Sequence, residues 1–392
     1  MTLLHPAPVL FATMFTSQAS FLVLTAILPE IAGDFGVSTA TAGQARTLAA
    51  LTGGVTALAL GRLGRRLGVE KLLLLGLSLV AVGSVASALA PSLAAFVCAQ
   101  AAIGAAAAIL TSAGVAAAGE WAEAGERARV LSWAHLGQPA AWVAGMPLIG
   151  IISHLDWRYA WLMVPLVASL LALVAVTLLR GRTAHGSRAG EATRRGTERV
   201  WRRPSVARWA IGELMAYSGW GATLIYAGAL FIESYGLSTA EAGVLLGAAA
   251  LGYFPGTLLA RRHVGQDSRT LLVALGLTAA AGTALLGLVR PSPAVSLVLF
   301  AASMAATGGR AIAGSSFGLD AAPDQRVAVM SLRAATVQFG YLLGAASGGA
   351  ALAAGGFGLL GAAIGVLFLL GVVPHLRVPA RWARPAQNAV PA

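Results

Sequence analysis

One acidic residue, Glu213, lies inside a long apolar stretch, where an ionisable group is costly and by default marks a functional pathway. Tyr217 and Trp220 follow it by four and seven residues, so the three side chains share one face of a helix. Burial favours the protonated form of a carboxyl group. We therefore predict that Glu213 takes up and releases a proton. The alternative is that it pairs with a basic residue or reaches water near the helix end.

His135 is the second candidate for proton transfer, because an imidazole titrates near neutral pH without help from its surroundings. It lies near the end of its apolar stretch, so its alternative role is that of a hydrogen-bonded interface residue.

Further polar and aromatic side chains interrupt the apolar stretches. A polar group that is out of water needs a partner, so we expect these side chains to face the interior of a helix bundle and to line a cavity. Each has an alternative role in a helix-to-helix contact, and the aromatic ones in packing. The predicted cavity residues are Gln18, Gln100, Gln138, Trp142, Tyr217, Trp220, Thr307, Arg310, Gln338 and Tyr341.

The elements that must position these residues are membrane-spanning helices. The chain has 57% hydrophobic and 11% charged residues and a mean hydropathy of +0.77, outside the range of soluble domains. About 20 helical residues cross a bilayer core. We predict twelve spans, near residues 9–29, 43–61, 72–90, 93–114, 130–152, 159–179, 208–231, 241–260, 270–289, 294–316, 328–350 and 356–376.

The sequence repeats itself at an offset of 200 residues. Gly36-Val-Ser-Thr-Ala-Thr-Ala-Gly43 returns as Gly236-Leu-Ser-Thr-Ala-Glu-Ala-Gly243, and Pro91-Ser92 returns as Pro291-Ser292. We therefore predict an all-α membrane protein with two six-helix halves related by an internal repeat. The halves are 1–179 and 208–376, a solvated basic linker occupies 180–207, and a tail occupies 377–392.

The basic residues indicate the orientation. With the N-terminus in the cytoplasm, 22 of the 27 basic residues fall inside and two, Arg158 and Arg290, fall outside. The other three, Arg46, Arg310 and Arg333, lie within predicted spans. The positive-inside rule then places both termini and the linker in the cytoplasm, in a plasma (inner) membrane.

Several classes of protein are not indicated. The chain has no phosphate-binding Gly-x-x-x-x-Gly-Lys-Ser/Thr loop, no Cys/His cluster at metal spacing and no large soluble region, so neither an enzyme nor a cofactor is expected. Its single cysteine excludes an internal disulfide. The arginines lie between apolar spans, so no nucleic acid is expected as a partner. We expect a monomer that contacts lipid and a small-molecule substrate.

Gly61-Arg-Leu-Gly-Arg-Arg-Leu-Gly68 resembles the loop signature between the second and third helices of the major facilitator superfamily. The twelve spans, the basic middle loop and Gly145-Met-Pro147 in the fifth span resemble its drug:proton antiporter and sugar-efflux branch, and this resemblance covers nearly the whole chain. It implies gating roles for Gly61, Arg65, Arg66, Gly68, Gly145 and Pro147.

Two residues depart from the family pattern. Arg65 stands where the family usually has an aspartate of the cytoplasmic gate, and Gln100 stands where it usually has an arginine associated with proton coupling. The resemblance implies a secondary transporter that exports a small organic molecule in exchange for protons. The departures leave open a uniporter or importer without proton coupling, and a non-transporting sensor or scaffold is the alternative from another class.

Overall fold

The computed structural model describes residues 5–123, 125–179, 200–263 and 268–376, and the side chains of 61–65, 128 and 327 are not among the groups described. These parts of the chain are all-helical. The α-helices are α1 (Pro6–Ala26), α2 (Leu28–Asp34), α3 (Thr39–Gly43), α4 (Ala45–Ala88), α5 (Leu93–Trp121), α6 (Arg127–Ala140), α7 (Met146–Ser153), α8 (Trp157–Trp161), α9 (Val167–Leu179), α10 (Pro204–Tyr235), α11 (Thr239–Ala250), α12 (Tyr253–His263), α13 (Ser268–Leu288), α14 (Pro293–Ala321) and α15 (Arg326–Leu376).

Short π-helical segments join some of these helices into longer rods. Ala141–Gly145 connects α6 to α7, and Leu162–Leu166 connects α8 to α9. Pro139 and Pro165 lie beside or within these segments, and each lacks the N–H that a regular helix needs. The fifth and sixth predicted spans are therefore bent rods.

Ten segments within the described residues are long and apolar enough to cross a bilayer. Large apolar side chains cover much of their outer surface, as in the exposed Leu58, Val82, Leu171 and Val298. Such a surface would be unfavourable in water and is typical of contact with lipid. The chain is therefore a multi-pass membrane protein.

Two long helices each contain a break. In α4 the break is at Gly68, with φ 76° and ψ 165°, and in α15 it is at Gly355 and Gly356, where Gly356 has φ 61° and ψ −161°. A positive φ of this kind is favourable only for glycine. The predicted loop between spans 43–61 and 72–90 is thus a single glycine turn between two helical segments.

Several helices extend beyond the predicted spans, so those span boundaries were wrong. Helix α5 continues to Trp121 and α14 to Ala321, which brings Glu120 and Asp320 into helical ends that the prediction placed in loops. Neither helix contains a proline beyond its first residue, and α14 ends just ahead of Pro323.

The two copies of the sequence repeat have matching local structure. Gly36 and Gly236 both have positive φ, at 63° and 65°. The next serines, Ser38 and Ser238, accept hydrogen bonds from the backbone N–H groups three residues on, at 3.2 and 3.3 Å, and so cap α3 and α11. We call residues up to 179 the first repeat and residues 200–376 the second repeat.

Most of the predicted linker, residues 180–199, and the whole predicted tail, 377–392, lie outside the described residues. The end of the linker is not a solvated coil. Val200 is buried beside Val206 and Trp209, and α10 starts at Pro204, where a proline at the first helical position suits the helix.

Candidate functional site

Helices α10 and α14 bring a buried carboxylate and a guanidinium together. Arg310 donates through Nη1 to Oε1 of Glu213 at 2.8 Å and through Nη2 to the carbonyl of Gly212 at 3.1 Å. Glu213 is the only buried acid among the described residues, and Gly314 leaves it no spare room, since a Cβ there would lie 2.6 Å from Oε1. The ion pair is therefore enclosed by protein.

Arg333 of α15 adds a second guanidinium to this pair. Its Nε lies 3.4 Å from Oε2 of Glu213, and its Nη2 donates to the hydroxyl of Tyr217 at 2.5 Å and to the carbonyl of Ala311 at 3.3 Å. We call Glu213, Tyr217, Arg310 and Arg333 the charged cluster. Its two cations and one anion leave it with a net charge of +1.

This geometry is the alternative that the sequence left open for Glu213, a pairing with basic residues. The carboxylate serves as counter-ion for two guanidinium groups. Removing a charge from such a buried arrangement leaves the others uncompensated.

An aromatic group borders the charged cluster. Trp142, in the π-helical segment after α6, packs edge-on against Tyr253 at 4.9 Å and against Trp220 at 5.8 Å between ring centroids. Tyr217 packs edge-on against Tyr341 at 6.2 Å. Three predicted cavity aromatics of the second repeat thus lie near one another, and Trp142 reaches them from the first repeat.

Arg46 of α4 is a third buried guanidinium. It stacks over the ring of Phe21 at 4.2 Å and donates through Nη2 to the carbonyl of Phe21, while its buried Nη1 has no hydrogen-bond partner among the described residues. The Phe21 ring lies 6.5 Å from that of Tyr341. Rings therefore connect Arg46 with the charged cluster.

Other predicted cavity residues serve contacts between or within helices. Gln100 donates to the hydroxyl of Ser87 at 2.9 Å and so joins α5 to α4. Thr307 donates to carbonyls of its own helix, at 2.8 Å to Ser303 and 3.0 Å to Met304. Gln338 packs against Gly53, where a Cβ would lie 2.8 Å from its Nε2.

His135, Gln138 and Gln18 are not part of the charged cluster. His135 is exposed on α6, Gln138 lies half-buried one turn further along, and Gln18 is half-buried on α1. The cluster and the aromatic group hold the predicted Glu213, Arg310, Tyr217, Trp142, Trp220 and Tyr341.

The predicted gating residues are partly described. The side chain of Arg65 and the surroundings of Gly61 lie outside the described groups, Arg66 is exposed, and Gly68 forms the turn in α4. Gly145 ends a π-helical segment. Pro147 packs against α11, where a Cβ on Gly247 would lie 2.7 Å from the Pro147 ring.

We call the end of the bundle that holds most of the arginines the basic end, and the end that holds the Gly36 and Gly236 turns the opposite end. The two repeats meet tightly at the opposite end. Gly150 of α7 faces Gly243 of α11, and a Cβ on Gly150 would lie 2.6 Å from the carbonyl of Thr239. A Cβ on Gly228 of α10 would lie 2.1 Å from the carbonyl of Thr25. These glycines allow backbone-to-backbone contact between the repeats.

The basic end is different. Most of the arginines that flank the helices lie there. Helix α6 continues the rod of α7, and α12 continues the rod of α11. Within the described residues, α6 and α12 make no extensive contact with each other. The paired rods thus touch at the opposite end and separate toward the basic end. His135 and Leu136 of α6 and Leu258 and Leu259 of α12 are exposed.

Two ion pairs at the basic end each lie within a single repeat. His5 contacts Glu126 at 3.0 Å in the first repeat, and this hydrogen bond holds the pKa of Glu126 below its usual range. Arg203 donates two hydrogen bonds of 2.6 Å to Asp324 in the second, which lowers the pKa of Asp324 and raises that of Arg203. Neither pair joins the two repeats.

A separate apolar groove lies in the second repeat, with about 290 Å³ of empty space beside Tyr226, Leu286, Phe357 and Leu360. The hydroxyls of its two threonines donate within their own helices. It offers a ligand no free donor there, so the charged cluster is the better candidate site.

Sequence reasoning missed the roles of Arg46 and Arg333. Both were recognised as basic residues within spans, and that position alone is a signal for function. It also missed His375, whose ring is buried against Phe317 at 5.4 Å with neither nitrogen hydrogen-bonded among the described residues.

The all-helical bundle of the described residues, with ten apolar segments and a charged centre, defines the class of multi-pass α-helical membrane proteins. Residues 9–266 match the family model of the Major Facilitator Superfamily, and the chain belongs to this family. No curated protein sequence matches the chain.

Solved structures share the fold at low sequence identity. A D-xylose-proton symporter has a TM-score of 0.77 and 16% identity, with 95% of this chain and 97% of that chain covered. The nucleoside transporter NupG has a TM-score of 0.77 and 11% identity, covering 95% and 98%. The xylose transporter XylE from E. coli, in an inward open conformation, has a TM-score of 0.75 and 14% identity, covering 95% and 96%.

Proposed function

We propose that the chain is a secondary transporter that moves a small organic molecule by alternating access. The observation that carries this proposal is the contrast between the two ends of the bundle. Glycines pack the repeats together at the opposite end, while α6 and α12 stand apart at the basic end. A charged cluster and an aromatic group lie between them. A binding region open to one side only is what alternating access requires.

The proposed topology has twelve crossings in two six-helix halves. The glycine turns at Gly68 and Gly356 divide α4 and α15 into two crossings each. The excess of basic residues at one end supports a cytoplasmic location for that end, for both termini and for the linker, in the plasma membrane. The conformation is then open to the cytoplasm.

A small organic substrate is supported by the neighbouring structures, whose names specify xylose and nucleosides. Their identities below 25% do not transfer a substrate to this chain. We propose that the working unit is a monomer, because a single chain already contains both repeats that surround the proposed binding region.

Proton-coupled efflux remains a prediction, with Glu213 and His135 as its candidate carriers. The alternative without proton coupling gains support from one observation: Glu213 is the counter-ion of Arg310 and Arg333. A proton carrier must be protonated, and therefore neutral, during part of the transport cycle. Protonation of Glu213 would leave the guanidinium groups of Arg310 and Arg333 without their anion.

The test is transport in proteoliposomes that contain the purified chain, measured for a panel of neutral, anionic and cationic compounds with and without a pH gradient. The proposal predicts saturable, protein-dependent uptake or exchange of at least one compound. Accumulation that follows the pH gradient would support proton coupling, and equal rates without a gradient would support uniport.

A variant that prevents the opposite end from closing provides the control. Gly150→Val should stop transport while the protein still inserts, because the added side chain collides with the backbone of α11. If no compound of the panel is transported by the unmodified chain, the non-transporting sensor or scaffold is the better account.

A further inference from the structure

The spans of the second repeat and α4 contain more positive than negative charge. Arg46 and Arg310 are buried, Arg333 is largely buried, and Glu213 is the only buried acid among the described residues. A cation within a membrane is costly when it lacks a partner. The surplus of two positive charges therefore calls for compensating negative charge, which a bound anion would provide.

The charge of Arg310 is balanced by Glu213, although its buried Nε has no hydrogen-bond partner among the described residues. Its two terminal nitrogens are used by Glu213 and by the carbonyl of Gly212, and its side chain is only 5% exposed. The pair neutralises itself, which leaves the charges of Arg333 and Arg46.

Arg333 is the cation of the cluster that water can reach. Its side chain is 20% exposed, whereas that of Glu213 is 0% exposed. Its Nε has no hydrogen bond within the described part of the chain, since its 3.4 Å contact with Oε2 of Glu213 lacks hydrogen-bond geometry. An anion arriving from the basic end would meet this guanidinium first.

Arg46 has an unused donor on the far side of the aromatic rings. Its Nη1 is buried without a partner, although Nη2 and the face of the guanidinium are both held by Phe21. A row of rings, Phe21, Tyr341 and Tyr217, runs from Arg46 to Arg333, with neighbouring centroids 6.5 and 6.2 Å apart. Arg333 lies 5.4 Å from the last of these rings.

Resting on the proposed transport function, we propose that this site binds a small organic carboxylate with an apolar or aromatic body. Arg333 binds the carboxylate while the basic end is open, and the body of the molecule lies against Tyr217 and Tyr341. Arg46 supplies a second cation for the same carboxylate when the opposite end opens. The charged cluster has a net charge of +1, which a single carboxylate balances, and a guanidinium binds a carboxylate through two donors.

The test compares three compounds of similar shape and different charge: benzoate, the neutral benzamide and the cationic benzylamine. Binding to the purified full-length chain at pH 7 and low salt is followed by its tryptophan fluorescence, since Trp142 and Trp220 border the site. We expect benzoate to bind at least about tenfold more tightly than the other two, a factor that corresponds to about 1.4 kcal/mol.

Variants then assign the effect to the two arginines. Arg333→Gln should weaken benzoate binding about tenfold or more and leave benzamide binding unchanged, with Arg333→Lys in between. Arg46→Gln should weaken benzoate exchange across proteoliposomes. Arg208→Gln is the matched control, because this half-buried arginine donates, among the described residues, to the carbonyl of Pro204 in its own helix. Should Arg333→Gln fail to fold, Arg333→Lys and Arg46→Gln carry the comparison.

The proposal is overturned if benzamide or benzylamine binds as tightly as benzoate, if none of the three binds, if Arg333→Gln retains full benzoate binding, or if Arg46→Gln retains full benzoate exchange. Transport of neutral or cationic compounds without any anion would overturn this proposal and leave the transporter function standing. Absence of all transport would contradict the function itself.

Discussion

The two repeats share their turns and caps but differ in their buried charges. Positions 36 and 236 are both left-handed glycines, and positions 92 and 292 are both serines that cap the next helix. At the same offset the charged positions have no counterpart. Glu213, Arg310 and Arg333 correspond to Thr13, Leu110 and Trp133, and Arg46 corresponds to Leu246.

This difference separates what builds the fold from what serves the function. Glycine turns and serine caps recur because both repeats must place helix ends in the same way. The buried charges occur once each, because the repeats meet around a single central site. The second repeat thus supplies a fixed charged wall, and the first supplies one cation across from it.

The largest effect should come from removing the counter-ion of the charged cluster. Glu213→Gln leaves Arg310 and Arg333 without their buried anion, and breaking such a pair costs about 3–5 kcal/mol. The corresponding change in the first repeat, Thr13→Val, removes one hydrogen bond to the carbonyl of Val9 in the same helix, so it should cost about 0.5–1.5 kcal/mol. Thermal unfolding in detergent measures both.

The double variant Glu213→Gln with Arg310→Gln should regain part of the lost stability, because one uncompensated charge is removed as well. A stable Glu213→Gln protein that loses only pH-driven accumulation would refute the counter-ion role and support Glu213 as a proton carrier.

A smaller effect should be equal in the two repeats. Ser38→Ala and Ser238→Ala each remove a helix cap, so each should lower stability by about 1 kcal/mol. Capping also involves Glu241 in the second repeat, which accepts from the backbone N–H of Ser238 at 2.8 Å. Unfolding temperatures that differ widely between the two variants would show that the repeats are not equivalent scaffolds.

The smallest effect should come from the ion pair at the basic end of the second repeat. Arg203→Ala removes a solvent-exposed ion pair with Asp324, and pairs of this kind contribute little to stability because water screens them. Because the pair lowers the pKa of Asp324, its contribution is present above the usual range of an aspartate and is lost as the pH falls through the lowered value. The difference between Arg203→Ala and the unmodified chain should therefore vanish at low pH, and a difference that grows there would contradict this account.

Part of the fold and of the candidate site could be predicted from the sequence. Hydropathy located the apolar helices, and the repeated segments that begin at Gly36 and Gly236 have matching positive-φ turns in the structure. Glu213 stood out as a rare acid in an apolar stretch, and Arg310 was recognised as a cavity residue.

The pairing of these residues could not be predicted. It depends on how α10, α14 and α15 are rotated about their axes, and an evenly apolar helix such as α15 carries little signal for its rotation. Helix ends were also missed, as at Trp121, because alanine-rich segments remain helical beyond the bilayer core. The single break at Gly68 was missed because the three arginines before it, Arg62, Arg65 and Arg66, suggested a longer loop.

The central claim is that the two ends of the bundle open and close in turn, and the most direct measurement follows both ends in one chain. The single cysteine, Cys98, is exposed and can be replaced by serine. Spin labels are then attached in pairs, at Leu155 and Val289 for the opposite end and at Arg127 and Arg262 for the basic end. Pulsed dipolar spectroscopy in nanodiscs records both distances.

Gly150→Ala should shift the equilibrium between the two conformations without any ligand. In the conformation closed at the opposite end, its Cβ would lie 2.6 Å from the carbonyl of Thr239, and such overpacking costs about 1–3 kcal/mol. Gly33→Ala is the control, since a Cβ there meets nothing within 4 Å. The account predicts that Gly150→Ala lengthens the distance at the opposite end and shortens the distance at the basic end, while Gly33→Ala changes neither. Lengthening at the opposite end with an unchanged basic end would contradict alternating access.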